Sequence, residues 1–413
     1  MAISHLYPTQ RPSLDLNFAR QKRLDPRVTF TRGSTATYVG SDGLIKTAAA
    51  NEARFDHDPV TGESLGLLVE EARTNLSAYG EKLNGGTWTT PWYTVYKVTK
   101  TYNAATAPNG LTSATLVVPN TELQQHYISS EETAVTSAVY TMSIYAKYSG
   151  YNFRMDFKGP NRGASFYLNT GTIGAVSSGI TASMQALPGG WYRCSITYNT
   201  ATTDIDSFIK ILNLSNSDFY QGDNTSGVYF WGYQIEAGTF ATSIIPTSGS
   251  TVTRSADVAS MTGTNFSSWY NQSEGTLLTT ADYNGTNSSN YNMIVEGYSG
   301  ASFRDFSCLV AASNPDFVTR YSFTSLDLVP VGGPIPTKTA FKLVGSYSAS
   351  GSAAVFNGGA VKTTGTAVAV LTPADAMSIG CRVGSTLFLN GHISRLAYYP
   401  TRLSDTQLQA LTL

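Results

Sequence analysis

A stretch from Val228 to Asp257, VYFWGYQIEAGTFATSIIPTSGSTVTRSAD, constrains the fold most tightly. It opens with aromatic residues at alternate positions. Successive side chains of an extended chain point to opposite faces. Tyr229, Trp231 and Tyr233 therefore share one face, and Val228, Phe230 and Gly232 the other. A strand covered on one side needs large apolar groups on that side only. Here both sides carry them, which predicts a strand in the middle of a β-sandwich. Gly238 and Pro246 then break the run, and a Thr/Ser-rich tail to Arg254 closes a domain.

The same pattern recurs on both sides of that stretch. In YTMSIYAK, Tyr140, Met142, Ile144 and Ala146 alternate with Thr141, Ser143, Tyr145 and Lys147. Turn clusters follow at Ser149-Gly150, Gly159-Pro160, Thr170-Gly171 and Pro188-Gly189-Gly190. Short strands at this spacing, with almost no 3.6-residue period, predict a sandwich over residues 77–257. A second sandwich is expected over 258–413. Its candidate strands are Gly275–Tyr283, Asn292–Glu296, Phe303–Val310, Thr339–Ser346, Ala353–Phe356, Ser378–Val383, Leu387–Leu389 and His392–Tyr399, with a hairpin turn at Asn357-Gly358-Gly359. One helix is expected, at the end: Ser404 caps it, Gln407 reaches back, and Leu408 and Leu411 face inward. No 20–50-residue repeat occurs, which argues against a β-helix or propeller. The fold class is all-β, tandem β-sandwich (jelly-roll) domains after a small N-terminal segment.

That segment, residues 1–76, is different. It holds charges (Arg20, Lys22, Arg23, Arg27, Arg32, then Asp56, Asp58, Glu63, Glu70, Glu71) and few apolar residues. So small a core does not support independent folding. The segment is expected to borrow a surface from a partner or a symmetry mate.

Composition narrows the function classes. Charged residues make up 13 % of the chain, about half the usual ~25 %. Polarity comes from Ser, Thr, Asn, Gly and 25 Tyr, which suits sheets. A net charge of −1 gives no steering toward nucleic acid or anionic membrane. The N-terminus has no apolar leader and no ~18-residue apolar run occurs, so a chain made in the cytosol without membrane insertion is expected. Cys194, Cys308 and Cys381 are odd in number and far apart, which predicts buried thiols rather than disulfides. His5, His57, His126 and His392 lack metal-ligand spacing. Asp223-Asn224 and Asp204/Asp206 are conceivable calcium donors without the spacing of a dedicated calcium loop. No metal or cofactor is assigned.

Catalysis finds no motif. Glycan cleavage needs two carboxylates held apart across a bond. The adjacent pairs Glu70-Glu71 and Glu131-Glu132 point to opposite faces of a strand. No nucleophile elbow, Walker or dinucleotide pattern is present. The expectation is that the protein is not an enzyme.

Two strings in the N-terminal segment are unusual: Arg-Gly-Ser-Thr-Ala-Thr-Tyr (32–38) and Gly-Leu-Leu-Val-Glu-Glu-Ala-Arg-Thr-Asn-Leu (66–76). With LDLNFARQKRLDPRVTF before them, they resemble the start of bacteriophage head-spike, head-fibre and tail-appendage proteins over residues 14–76. YTMSIYAKYSG, FYLNTGTIGAV and LPGGWYRCSITY resemble the carbohydrate-binding-like jelly rolls beside such segments. MSIGCRVGSTLFLNGHISRLAYYPTRLSDTQLQAL resembles a laminin-G or concanavalin-A-like domain.

These resemblances imply a structural, adhesive phage protein, localised in the virion after assembly in the host cytoplasm. They imply a homotrimer that docks on other virion proteins through residues 1–76. The basic group Arg20, Lys22, Arg23, Arg27 and Arg32 is the expected docking surface. Host polysaccharide is the expected ligand of the sandwiches. Trp88, Trp92, Tyr93 and Tyr96 cluster in a Gly/Pro-broken loop, and Trp269 and Tyr270 form a second group. Such rings stack on sugar C–H faces or, equally, cover a sheet edge or subunit interface. Trp191 and Trp231 lie in strand patterns and are expected in the core. Two other readings stay open: a tailspike depolymerase, and a capsid cement protein without ligand.

Overall fold

The computed structural model describes residues 7–81, 83, 94–132, 138–200, 205–285, 291–300, 303–311, 314–320, 326–330, 334–363 and 374–413. The molecule is almost entirely β, built as two sandwiches.

In the middle sandwich one six-stranded sheet runs Ile180–Leu187, Trp191–Asn199, Val139–Ser149, Gly227–Ala237, Thr112–Pro119, Val98–Thr106. The facing six-stranded sheet runs Thr172–Val176, Gly163–Tyr167, Asn152–Phe157, Ser207–Leu212, Tyr127–Ser130, Thr94–Tyr96. Tyr140, Met142, Ile144 and Ala146 enter the core between them, as the alternation requires. Gly227–Ala237 is an inner strand, paired on both sides.

Its alternation breaks at Gly232. This residue has φ +64, and the pairing with Val139–Ser149 shifts between Ser143 and Tyr145. The shift is a bulge that reverses the faces beyond it. Tyr233 and Ile235 therefore join Val228 and Phe230 in the inner core, while Trp231 points outward. A Cβ at Gly232 would lie 2.5 Å from Ile244 Cδ1 and 2.9 Å from the Tyr145 ring, so only glycine fits.

The outward face does not meet water. Trp231, Trp191 and Tyr145 are covered by Ile45 and Ile244. Ile45 belongs to a hairpin, Ala36–Val39 with Ile45–Ala48, inside the N-terminal segment.

The same segment completes the C-terminal sandwich. Leu14–Leu16 and Ser64–Val69 lie end to end along one edge of Gly391–Tyr399, with Leu16 opposite Leu396 and Leu68 opposite His392. Arg54–His57 adds outside Ser64–Val69. Thr29–Thr31 extends the opposing sheet by pairing with Val258–Thr262. Leu14, Leu16, Phe18, Val28, Phe30, Leu67 and Val69 pack in one core with Leu277, Ile294, Met377 and Ile393. The surface that residues 1–76 borrow is thus the chain's own C-terminal sandwich.

Outside the expected strands, the C-terminal sandwich also contains Asn314–Arg320 and Leu326–Pro330, whereas Leu387–Leu389 is irregular. Asp405–Thr412 is helical, with the full Ser404/Gln407 capping box and with Leu408 and Leu411 buried. All three cysteines are free and buried.

One buried acid carries a stability prediction. Burial, with Asp206 adding repulsion against a bond from Ser130, pushes the Glu132 carboxyl up to about 8. The folded state then keeps a proton that the unfolded chain releases near 4.5. Stability from this group is full below that value and is lost as pH rises toward 8. Glu132→Gln is expected to flatten that slope, by about 1 kcal/mol per pH unit, in melts compared at pH 5 and pH 8. A parallel loss of stability in both proteins across this range would refute it.

Candidate functional site

Pairing in the facing sheet of the middle sandwich aligns two rows of side chains on the side away from the core. The register puts Tyr96, Tyr127, Lys210, Arg154 and Ser165 in one row, and Ser129, Phe208, Asp156 and Gly163 in the next. The intervening residues Ile128, Ile209, Phe153, Met155 and Phe166 fill the core.

Three rings meet on this face. Tyr96 stacks on Tyr127 at 5.1 Å between centroids, and Phe208 meets Tyr127 edge-on at 5.6 Å. All three are half-buried. Beside them Lys210 Nζ lies 3.3 Å from Asp156 and 3.6 Å from Asp218. Arg154 Nε donates to Asp156 Oδ1 at 2.8 Å, and Gln125 Nε2 to Asp218 Oδ2 at 2.9 Å. The face is an aromatic step flanked by charged and amide groups.

The structure sorts the expected ligand residues. Tyr96 joins this step. Trp88, Trp92 and Tyr93, which directly precede its strand, lie outside the described residues. Trp269 and Tyr270 are no sugar platform. After the short helix Thr264–Ser267 they turn inward between the sheets. Trp269 is 4 % exposed, 4.9 Å from the Phe266 ring and 5.0 Å from Tyr398. Tyr270 packs against Phe266 and Phe306. The sequence missed Tyr127 and Phe208 because cross-strand pairing, not proximity along the chain, brings them to Tyr96.

The docking group also divides. Arg20, Lys22 and Arg23 are exposed around the short helix Phe18–Gln21, and Arg27 pairs with Asp25 at 2.9 Å. Arg32 is unavailable to any partner. It is 1 % exposed and donates to Asp257 Oδ1 at 2.9 Å.

Arg32 belongs to a buried ionic clasp where the N-terminal segment meets both sandwiches. Asp257 also binds Arg54, and Glu70 Oε2 accepts from Arg54 at 2.8 Å and Arg254 at 2.7 Å. Ser243 adds two bonds to Glu70, through its amide at 2.8 Å and its hydroxyl at 2.6 Å. Burial alone would raise the Glu70 carboxyl, but Arg254 and Arg54 hold it far below the usual carboxylate range. Asn75, fully buried, donates to Ile245 O at 3.0 Å and accepts from Ile235 N at 3.2 Å.

Next to the clasp, a cleft of about 190 Å³ opens where the three segments converge. In its wall His392 is held between two carboxylates: Nδ1 lies 2.9 Å from Asp282 Oδ1 and Nε2 2.9 Å from Asp56 Oδ2. Both ring nitrogens must donate, so the ring is an imidazolium. Burial opposes that charge, but Asp282 and Asp56 outweigh it and raise the group to about 10. Among the described residues no cluster of His, Cys, Asp or Glu has metal-ligand form. Asp223 instead accepts from Thr225 N at 2.9 Å and Ser226 N at 2.8 Å, which closes a turn.

No family model matches the chain. No curated protein matches it. Among solved structures, the CBM40 of Ruminococcus gnavus IT-sialidase bound to α2,3-sialyllactose is 18 % identical, with 34 % of this chain and 83 % of that chain covered and a TM-score of 0.29. A heptameric SAP-like pentraxin from Limulus polyphemus is 14 % identical over 33 % of this chain and 68 % of that one, with a TM-score of 0.27. Trypanosoma rangeli sialidase in complex with the inhibitor DANA is 8 % identical over 72 % of this chain and 60 % of that one, with a TM-score of 0.30. At these scores no residue of this chain takes a role from them.

Proposed function

We propose that this chain is a structural, adhesive protein of a bacteriophage virion, a spike, fibre or tail appendage, whose middle sandwich holds host-surface glycan. The Tyr96–Tyr127–Phe208 step carries the binding half of this reading. Aromatic faces take the C–H side of a pyranose, and Lys210, Arg154 and Gln125 stand where ring hydroxyls would reach them. Single sites of this kind are weak, and a trimeric appendage multiplies them by avidity. The resemblance of residues 14–76 to phage appendages supports the virion half. Exposed Arg20, Lys22 and Arg23 are the docking surface in this reading.

An array of neutral and acidic oligosaccharides tests the binding half. Hits are expected, and Tyr127→Ala is expected to weaken them about tenfold, or ~1.4 kcal/mol, with the melting profile preserved. An array blank for the intact protein, or hits indifferent to Tyr127→Ala, would defeat it. Release of reducing ends from a bound polysaccharide would favour the depolymerase reading instead.

A further inference from the structure

The junction cleft is separate from the aromatic step, and its lining points to a ligand of its own. Its residues come from all three parts of the chain: His57 and Asp58 from the N-terminal segment, Gln185 and Arg193 from the middle sandwich, Lys338 from the C-terminal one. At about 190 Å³ it is smaller than the ~300–1,000 Å³ of sites for drug-sized molecules. One ring-sized ligand fits that scale.

The polar groups are unequally occupied. Asp56 and Asp282 are spent on His392, and Glu70 is spent on the arginines of the clasp. By contrast, Arg193 Nε and His57 Nε2 are buried with no hydrogen-bond partner among the described residues. Arg193 directs its Nη2 to Thr242 O at 2.6 Å and Ser143 Oγ at 3.2 Å, which leaves the Nε donor over. His57 is 5 % exposed, and its Nδ1 lies 3.1 Å from Val39 O. A carbonyl oxygen only accepts, so Nδ1 carries a proton, and in the neutral ring Nε2 is an acceptor. Leaving buried polar atoms unsatisfied costs stability. A ligand that both donates and accepts relieves both.

Charge narrows the class. An anion in the cleft meets Asp58, whereas a cation meets Arg193 and Lys338. Hydroxyl groups donate and accept without charge, and the wall also offers apolar surface from Leu65, Leu187 and Ile244. We propose that the junction cleft is a second ligand site that binds one neutral, polyhydroxylated ring, a single pyranose unit, between the two sandwiches. Because the lining spans three chain segments, occupancy ties them together and raises the unfolding temperature by linkage.

Saturation-transfer NMR and thermal melts of the full chain with the methyl glycosides of glucose, galactose and mannose test this. At least one is expected to give saturable transfer and a raised melting temperature. Lys338→Ala and Gln185→Ala, at exposed and half-buried positions, are expected to weaken it about tenfold. Tyr127→Ala is expected to leave it unchanged, which separates this site from the aromatic step. No transfer from any of the three up to millimolar concentration overturns the proposal. So does tighter binding of glucuronate or glucosamine than of the neutral sugars, or binding that only Tyr127→Ala removes.

Discussion

A chain lacking residues 1–76 is expected to lose its C-terminal sandwich altogether. The deletion removes three strands from one sheet, Leu14–Leu16, Arg54–His57 and Ser64–Val69, and the edge strand Thr29–Thr31 from the other. It also takes Leu14, Leu16, Phe18, Val28, Phe30, Leu67 and Val69 out of the core. Burying one such side chain is worth about 1.5–3 kcal/mol, so these residues supply on the order of 10–20 kcal/mol. A whole domain is stable by only about 5–15 kcal/mol. The middle sandwich keeps its internal core but loses the hairpin over Trp191 and Trp231, the Asn75 bonds to Ile235 and Ile245, and the Glu70 bonds to Ser243. Hydrogen exchange on residues 77–413 should show protection in Val139–Ser149 and Gly227–Ala237, and none in Gly275–Ala281 or Gly391–Tyr399. Protection throughout would show that the segment is dispensable to the fold. The result bears on docking too. Truncation destroys the sandwich along with any docking surface, so attachment to particles is better probed by reversing the charge of exposed Arg20, Lys22 and Arg23.

Much of this architecture was legible in the sequence, and the failures have physical causes. The run Tyr140–Lys147 could be assigned face by face because nothing interrupts its two-residue period. The same reasoning misplaced Tyr233, since a glycine at φ +64 inserts one residue and inverts every side chain after it. Trp269 and Tyr270 looked like a surface group because they sit among polar residues. Their burial depends on strands more than seventy residues away, including Phe341–Ser348 and Gly391–Tyr399. The aromatic neighbours of Tyr96 in sequence single it out, but the structure stacks it on Tyr127, which local pattern cannot reveal. In sequence Arg32 belongs to a run of basic residues that reads as a surface group. Nothing nearby in sequence hinted at Asp257, 225 residues away. The two unusual N-terminal strings nevertheless hold Arg32, Glu70 and Asn75, and the closing segment of the middle domain holds Arg254 and Asp257. The residues that carry the resemblance therefore also build the clasp.

Asp257→Ala is expected to be the most damaging single substitution in the molecule. The aspartate takes Arg32 on Oδ1, and both Arg54 and the Glu70 amide on Oδ2. Arg32 and Arg54 are each no more than 1 % exposed, so water cannot replace the lost partner. Breaking a buried pair from one side costs about 3–5 kcal/mol, because an uncompensated charge stays behind. Here Arg32 loses its carboxylate, and Arg54 is left with Glu70, which it shares with Arg254. The exposed pair Asp15–Arg395 serves as the contrast. Its bonds of 2.8 and 2.9 Å are equally short, but its side chains are 41 % and 34 % exposed, and Asp15→Ala should cost under about 1 kcal/mol. Urea unfolding of the two variants would separate them, and a loss below about 1 kcal/mol for Asp257→Ala would mean that the clasp does not hold the fold. The origin of the cost is open to a further test. If it lies in the stranded Arg32 guanidinium rather than in lost attraction, adding Arg32→Met to Asp257→Ala should restore part of the stability, since an apolar chain of similar length needs no counter-ion. A double variant worse than Asp257→Ala would place the cost in Arg32's remaining bonds to Ser34 O and Ala49 O instead.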